Sequence, residues 1–94
     1  MTTMTDKRVS LRASDASGQH SARVSNVAGD ASVGELVHGL LARMRLPQND
    51  SEGRPLTYHA RLEREGRHLH ASESIGETLQ NEDHIVLQPH IQAG

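Results

Sequence analysis

The chain has no cysteine, and Tyr58 is its only aromatic residue apart from histidine. Without cysteine there is no disulfide framework, no thiolate metal site and no cysteine nucleophile. Without Phe or Trp, the core must be assembled from Val, Leu, Ile, Met and Ala. No apolar run approaches the length of a membrane span, and the N-terminus lacks the apolar core of a signal peptide. Those absences lead to the expectation of a cytoplasmic protein with no membrane association. Charge of one sign is also missing. The formal net charge is −2 and both signs are mixed along the chain, which argues against a nucleic-acid binder with a basic face. Lysine is nearly absent too: Lys7 is the only one, and the other nine basic residues are arginine.

Ninety-four residues suffice for one small domain of modest stability. Residues 1–7 are polar and threonine-rich without periodicity, and are expected to form a flexible arm. Val9, Leu11 and Ala13 alternate with Ser10 and Arg12, the pattern of a half-buried strand. Asp15, Ala16, Ser17 and Gly18 form a turn cluster. His20, Ala22 and Val24 then alternate with Ser21 and Arg23, which completes an N-terminal hairpin.

Ser32 to Leu46 carries the clearest periodicity. Val33, Leu36, Val37, Leu40, Leu41 and Met44 fall on one helical stripe. Ser32 and Glu35 have the spacing of a capping box. Arg43 and Arg45 are placed in the last turn, where positive charge suits the helix dipole, and Pro47 ends the element. After a polar loop, Leu56, Tyr58, Ala60 and Leu62 alternate as a third strand. Glu65-Gly66 is a tight turn, and Arg67 to His70 is a short fourth strand carrying Leu69. Ser74 to Leu79 reads as a compact turn with Ile75 and Leu79 inward. Asn81 to Asp83 is another turn, and Ile85 and Leu87 alternate in a final strand. One amphipathic helix covers one face of one small sheet. The last strand is expected beside the first, parallel to it.

Gly66-Arg67-His68-Leu69, Ser74-Ile75-Gly76-Glu77-Thr78-Leu79 and Asn81-Glu82-Asp83-His84-Ile85-Val86-Leu87 resemble, in register, the closing stretch of ubiquitin and its β-grasp relatives. Val33-Gly34-Glu35-Leu36 resembles the start of that family's helix. The resemblance covers residues 8–94 and implies an α+β fold, a mixed four- to five-stranded sheet curled around one helix. It divides the chain into the arm at 1–7, a ubiquitin-like domain at 8–88 and an extended C-terminal tail at 89–94. The protein is most similar to bacterial ubiquitin-like modifiers, some of which act in conjugation or antiviral defence.

The resemblance implies a modifier rather than an enzyme. Gly94 is then the reacting residue: a terminal glycine has no Cβ to obstruct its carboxylate in a narrow active-site channel. Pro89, His90, Ile91, Gln92 and Ala93 form the arm that contacts the partners. Those partners are an activating enzyme, a conjugating enzyme and a deconjugating protease, with target amines unspecified. Lys7, or the N-terminal amine, is the expected acceptor if the protein forms chains of itself. The last dipeptide is Ala93-Gly94 where ubiquitin has Gly-Gly, and Pro89 and His90 also depart from its tail, which implies dedicated partner enzymes. Glu63 and Gln88 occupy positions of ubiquitin's apolar recognition patch, so ordinary ubiquitin readers are not expected to bind there. A non-covalent β-grasp adaptor or secretion-system component, and less readily a sulfur carrier, are the alternatives.

No cofactor is expected. His59, His68, His70, His84 and His90 invite a metal-site reading, but no spacing is diagnostic of one and solvated strand-face histidines are the better account. Asp15, Ser17 and His20 are triad residue types crowded into a turn, with no walls to position a substrate. Asp30, Ser32 and Glu35 read as helix-cap chemistry.

Overall fold

The computed structural model describes residues 8–91. Its elements are β1 (Arg8–Asp15), β2 (Ser21–Ala28), α1 (Val33–Arg43), β3 (Leu56–Leu62), β4 (Arg67–His68), α2 (Ile75–Thr78) and β5 (Asp83–Ile91). The strands form one sheet in the order β2-β1-β5-β3-β4. β1 and β5 are parallel and the other pairs antiparallel, so the last strand does lie beside the first. The apolar faces of β1, β3 and β5 pack under α1, joined by Leu69 just past β4, giving a core of Val9, Leu11, Ala13, Ala60, Leu62, Leu69, Ile85 and Leu87 from the sheet side and Val33, Leu36, Leu40 and Met44 from the helix side. Val37 and Leu41 flank this stripe and are only half-buried.

The capping box is formed in full. Glu35 N–H donates to Ser32 Oγ at 3.1 Å, and Ser32 N–H donates to Glu35 Oε1 at 2.9 Å. The two N–H groups that the box cannot reach are met by the segment after β4. Val33 donates to the Glu73 carbonyl and Gly34 to the Ala71 carbonyl, both at 2.9 Å. A Cβ on Gly34 would lie 3.2 Å from Ala71 Cβ, so glycine permits this close approach. These bonds also explain why β4 is shorter than its pattern suggests. Leu69 still donates to the Ala60 carbonyl, but beyond it the chain leaves the sheet to satisfy the helix N-terminus. The expected strand over Arg67–His70 is thus corrected to two residues.

The helix ends earlier than the last-turn reading of Arg45. Arg45 N–H donates to the Ala42 carbonyl and Leu46 N–H to the Leu41 carbonyl, a Schellman arrangement. It places Arg45 at φ +57°, a left-handed conformation that costs a side-chain-bearing residue about 1–2 kcal/mol. Leu46, which the motif brings back against the core, is buried, and its burial offsets the strain. Arg45→Gly is therefore expected to raise stability by about 1 kcal/mol, read as a higher urea midpoint at unchanged slope. An unchanged or lower midpoint would show that the left-handed residue is not strained.

The corner after β4 also sets an acid limit. Arg67 bonds Glu73 through both terminal nitrogens, at 3.1 and 3.3 Å, and His70 N–H donates to the same carboxylate. The Arg67 contact first, and the His70 N–H second, lower the Glu73 carboxyl from 4.5 to about 2. A carboxyl lowered in the folded state contributes fully above its unfolded value and loses that contribution as pH falls toward the folded one. Urea midpoints are accordingly expected to drop between pH 4.5 and about 2, with a shallower drop for Glu73→Gln. Identical slopes for the two proteins would remove Glu73 from the account.

Candidate functional site

β5 is the central element of the site, because it carries the chain toward Gly94. The sequence pattern places its end at Leu87 and starts the tail at Pro89. The ladder corrects this: β5 pairs with β3 through Tyr58↔Pro89, Thr57↔His90 and Leu56↔Ile91. Glu63 N–H donates to the His84 carbonyl. By alternation, His59↔Gln88 and Thr57↔His90 are hydrogen-bonded pairs, while Tyr58↔Pro89 is a non-hydrogen-bonded pair. The position of the N–H that proline lacks therefore faces the β1 side. β1 has already ended there, its last partner being Leu87 opposite Asp15. Pro89 costs no ladder bond, and it blunts the edge that β5 exposes beyond β1. Of the expected tail, Pro89, His90 and Ile91 thus belong to the sheet. Gln92, Ala93 and Gly94 lie outside the described residues, as does Lys7.

The outward face of the sheet around this strand is polar. Gln88 Oε1 accepts from His68 Nε2 at 2.7 Å. Glu63 is exposed and lies 3.5 Å from Arg61. His84 Nε2 and Ser14 Oγ share a 2.8 Å bond. His59 sits between His68 and His90, with ring centroids 5.9 and 5.5 Å away. The register of three strands brings these rings together, and no sequence spacing announces it. Among the described residues, no three His, Asp or Glu side chains are grouped so as to hold a metal ion.

Asp15, Ser17 and His20 do meet, but as a turn. The Asp15 carboxylate accepts from Ser17 Oγ at 2.8 Å, from His20 N–H at 3.1 Å and from the His20 ring at 3.0 Å. Partial burial opposes ionisation of Asp15, but these three donors outweigh it and lower the carboxyl to about 2. The acid stands between Ser17 and His20, and its bonds close the hairpin.

The sequence reading missed Asp83, the buried charged residue at the start of β5. It accepts from Arg64 Nε at 2.9 Å, Arg64 Nη2 at 3.1 Å and Gln80 N–H at 2.8 Å. Burial raises its pKa, while the Arg64 fork and the Gln80 N–H lower it further, so the carboxyl stays below its ordinary range. The bidentate pair fixes where β5 enters the sheet. The signal in the sequence was an acid flanked by turn residues, indistinguishable from solvated turn chemistry.

A mixed five-stranded sheet with parallel central β1 and β5, a single main helix across one face and a short helix before β5 can be compared directly with solved structures. The described "Caldiarchaeum Subterraneum Ubiquitin" superposes with a TM-score of 0.61 at 23% identity, over 94% of this chain and 100% of that one. The fold is ubiquitin-like. A chain in a structure described as "Molecular Mimicry of SUMO promotes DNA repair" superposes equally, with a TM-score of 0.61 at 20% identity over 86% of this chain and 90% of that one. No protein-family model matches the sequence, and no curated protein does.

Proposed function

We propose that this protein is a ubiquitin-like modifier, activated at the carboxylate of Gly94 and transferred to target amines by dedicated enzymes. The observation that carries this reading is the superposition on an archaeal ubiquitin across its whole length, combined with a sequence that places Ala93-Gly94 just past the last strand. The chemistry asked of the chain is small. It presents a carboxylate and a docking surface, and its partners supply ATP, the nucleophilic thiol and the acceptor amine. The carboxylate attacks the α-phosphorus of ATP, releasing pyrophosphate and forming an acyl adenylate. A thiolate of the activating enzyme then displaces AMP to form a thioester, and an amine finally displaces the thiol to leave an amide.

The partners in this proposal are an activating enzyme, a conjugating enzyme and a deconjugating protease, acting in the cytoplasm. A setting in conjugation or antiviral defence is part of this proposal and rests only on the resemblance of the closing stretch, residues 66–87, to bacterial modifiers. Lys7 is the side-chain acceptor for self-conjugation, because the sequence holds no other lysine. Gln88 bonded to His68 and Glu63 beside Arg61 support partners other than those that bury an apolar patch, since burying such groups unpaired is costly.

The test incubates the protein with its cognate activating enzyme and ATP and follows the chain by intact mass spectrometry. The expected result is an ATP-dependent adenylate or a thiol-sensitive enzyme adduct. Absence of both, with an enzyme shown to be active, refutes the modifier reading and favours a non-covalent adaptor.

A further inference from the structure

Three imidazoles converge on the outward face where the last strand ends. His59 is on β3, His68 on β4 and His90 on β5. The His59 and His90 rings meet nearly edge to face, at 70° and 5.5 Å, and His59 and His68 are tilted by 48° at 5.9 Å. Their cross-strand partners are Gln88, Arg61 and Thr57, so no carboxylate stands directly opposite any of them.

The other charged or titratable groups around the three rings are accounted for element by element. On β3, Arg61 is paired with Glu63. On β4, Arg67 is held by Glu65 and Glu73. On β5, His84 is bonded to Ser14. Along α1 and after β4, His38 and His70 line a groove with His59. The carboxylates near this face are therefore already engaged by arginine.

We propose that His59, His68 and His90 form a pH-sensitive clasp that holds the Pro89–Ile91 end of β5 against β3 when the rings are neutral and releases it when they are protonated. Neutral rings favour edge-to-face contact. Histidine is the side chain that gains charge between pH 8 and 5, and unit charges 5.5 Å apart repel even in a watery dielectric. The His68–Gln88 bond survives protonation, because the imidazolium still donates. His59 and His68 repel too, but there the ring is anchored by Gln88, so the strand pairing yields at His59 and His90. That is the weakest place in the strand, since beyond Gln88 the described part of β5 is paired through its backbone with β3 alone, and strand ends open at low cost. The consequence rests on the modifier reading: an opened Pro89–Ile91 lengthens the segment that reaches an activating enzyme.

The experiment measures amide hydrogen-exchange protection factors, corrected for intrinsic rate, at about pH 7.5 and 5.5. Protection at Thr57 and His90 is expected to fall roughly three- to tenfold at the lower pH, while Arg61 and Val86 stay unchanged. The double variant His59→Gln with His90→Gln is expected to lose this pH dependence. Equal protection at both pH values in the parent protein, or a drop that persists in the folded double variant, overturns the proposal. Should the double variant not fold, the single variants His59→Gln and His90→Gln decide it. Loss of the pH dependence in each supports the clasp, and its full retention in either refutes it. No activating enzyme is involved, so failure here leaves the modifier reading standing, and failure of adenylation leaves the clasp standing.

Discussion

Deletion of Gly94 is expected to abolish ATP-dependent activation while leaving the melting temperature unchanged. The two halves of this expectation have separate causes. Stability is expected to be unaffected because, among the described residues, the pairing of β5 with β3 runs to Leu56↔Ile91, and a single residue at a chain end contributes little to packing. Activation is lost because deletion moves the reacting carboxylate to Ala93. Its Cβ then sits beside the carbon that must be attacked, in a channel suited to glycine. The carboxylate also falls one residue short of the phosphate it must reach. At the scale of transition-state positioning, a displacement of an ångström already costs about a hundredfold, and one residue of extended chain spans roughly 3.3 Å. The expected rate is below detection in a mass-spectrometric assay that sees the full-length adduct readily. Gly94→Ala separates the two contributions: it restores the length but keeps the Cβ, so partial activity locates the defect in reach and none locates it in sterics. Equal activation of full-length and deleted chains would sink the modifier reading.

Leu40→Ala is expected to cost about 2–5 kcal/mol, the range for a buried leucine truncated in a packed core. Leu40 is 2% exposed and lies in the middle of the α1 stripe. A domain of this size has roughly 5–13 kcal/mol of total stability, so this one change removes a large share. The core has few ways to compensate. It holds no Phe or Trp, and its aliphatic side chains are too small to fall into the space left by a leucine. A shallow groove between β2 and α1 abuts the site, lined by Val24, Val27 and Leu36 as well as Leu40. Water or partial closure of that groove can relieve some of the cavity, which favours the lower part of the range. Urea denaturation at neutral pH gives the value, with Leu41→Ala, half-buried at the edge of the stripe, as the comparison that should cost less. A Leu40→Ala midpoint within error of the parent protein would mean that the helix does not pack as described.

The faces of the elements were written in the sequence. Alternation at Val9, Leu11 and Ala13, and at Tyr58, Ala60 and Leu62, and the stripe from Val33 to Met44, are local periodicities. Burying one side of each determines which way the side chains point. The capping box was equally local, since Ser32 and Glu35 are three positions apart and meet in any helix that begins there. Contacts that depend on two distant segments were not available in this way. The length of β4 was decided by carbonyls at Ala71 and Glu73 that serve the N-terminus of α1. The left-handed Arg45 was decided by the burial of Leu46. The Asp83–Arg64 pair joins the entry of β5 to the turn after β3. Pro89 was read as the start of a tail because the alternation stops at Leu87, and proline within a strand removes a ladder donor. Only the order of strands showed that the missing donor faces a side where β1 has already stopped. The same register gathers His59, His68 and His90 into one cluster. Periodicity assigns each residue a face, but which residues on that face become neighbours is set by the pairing of strands far apart in the chain.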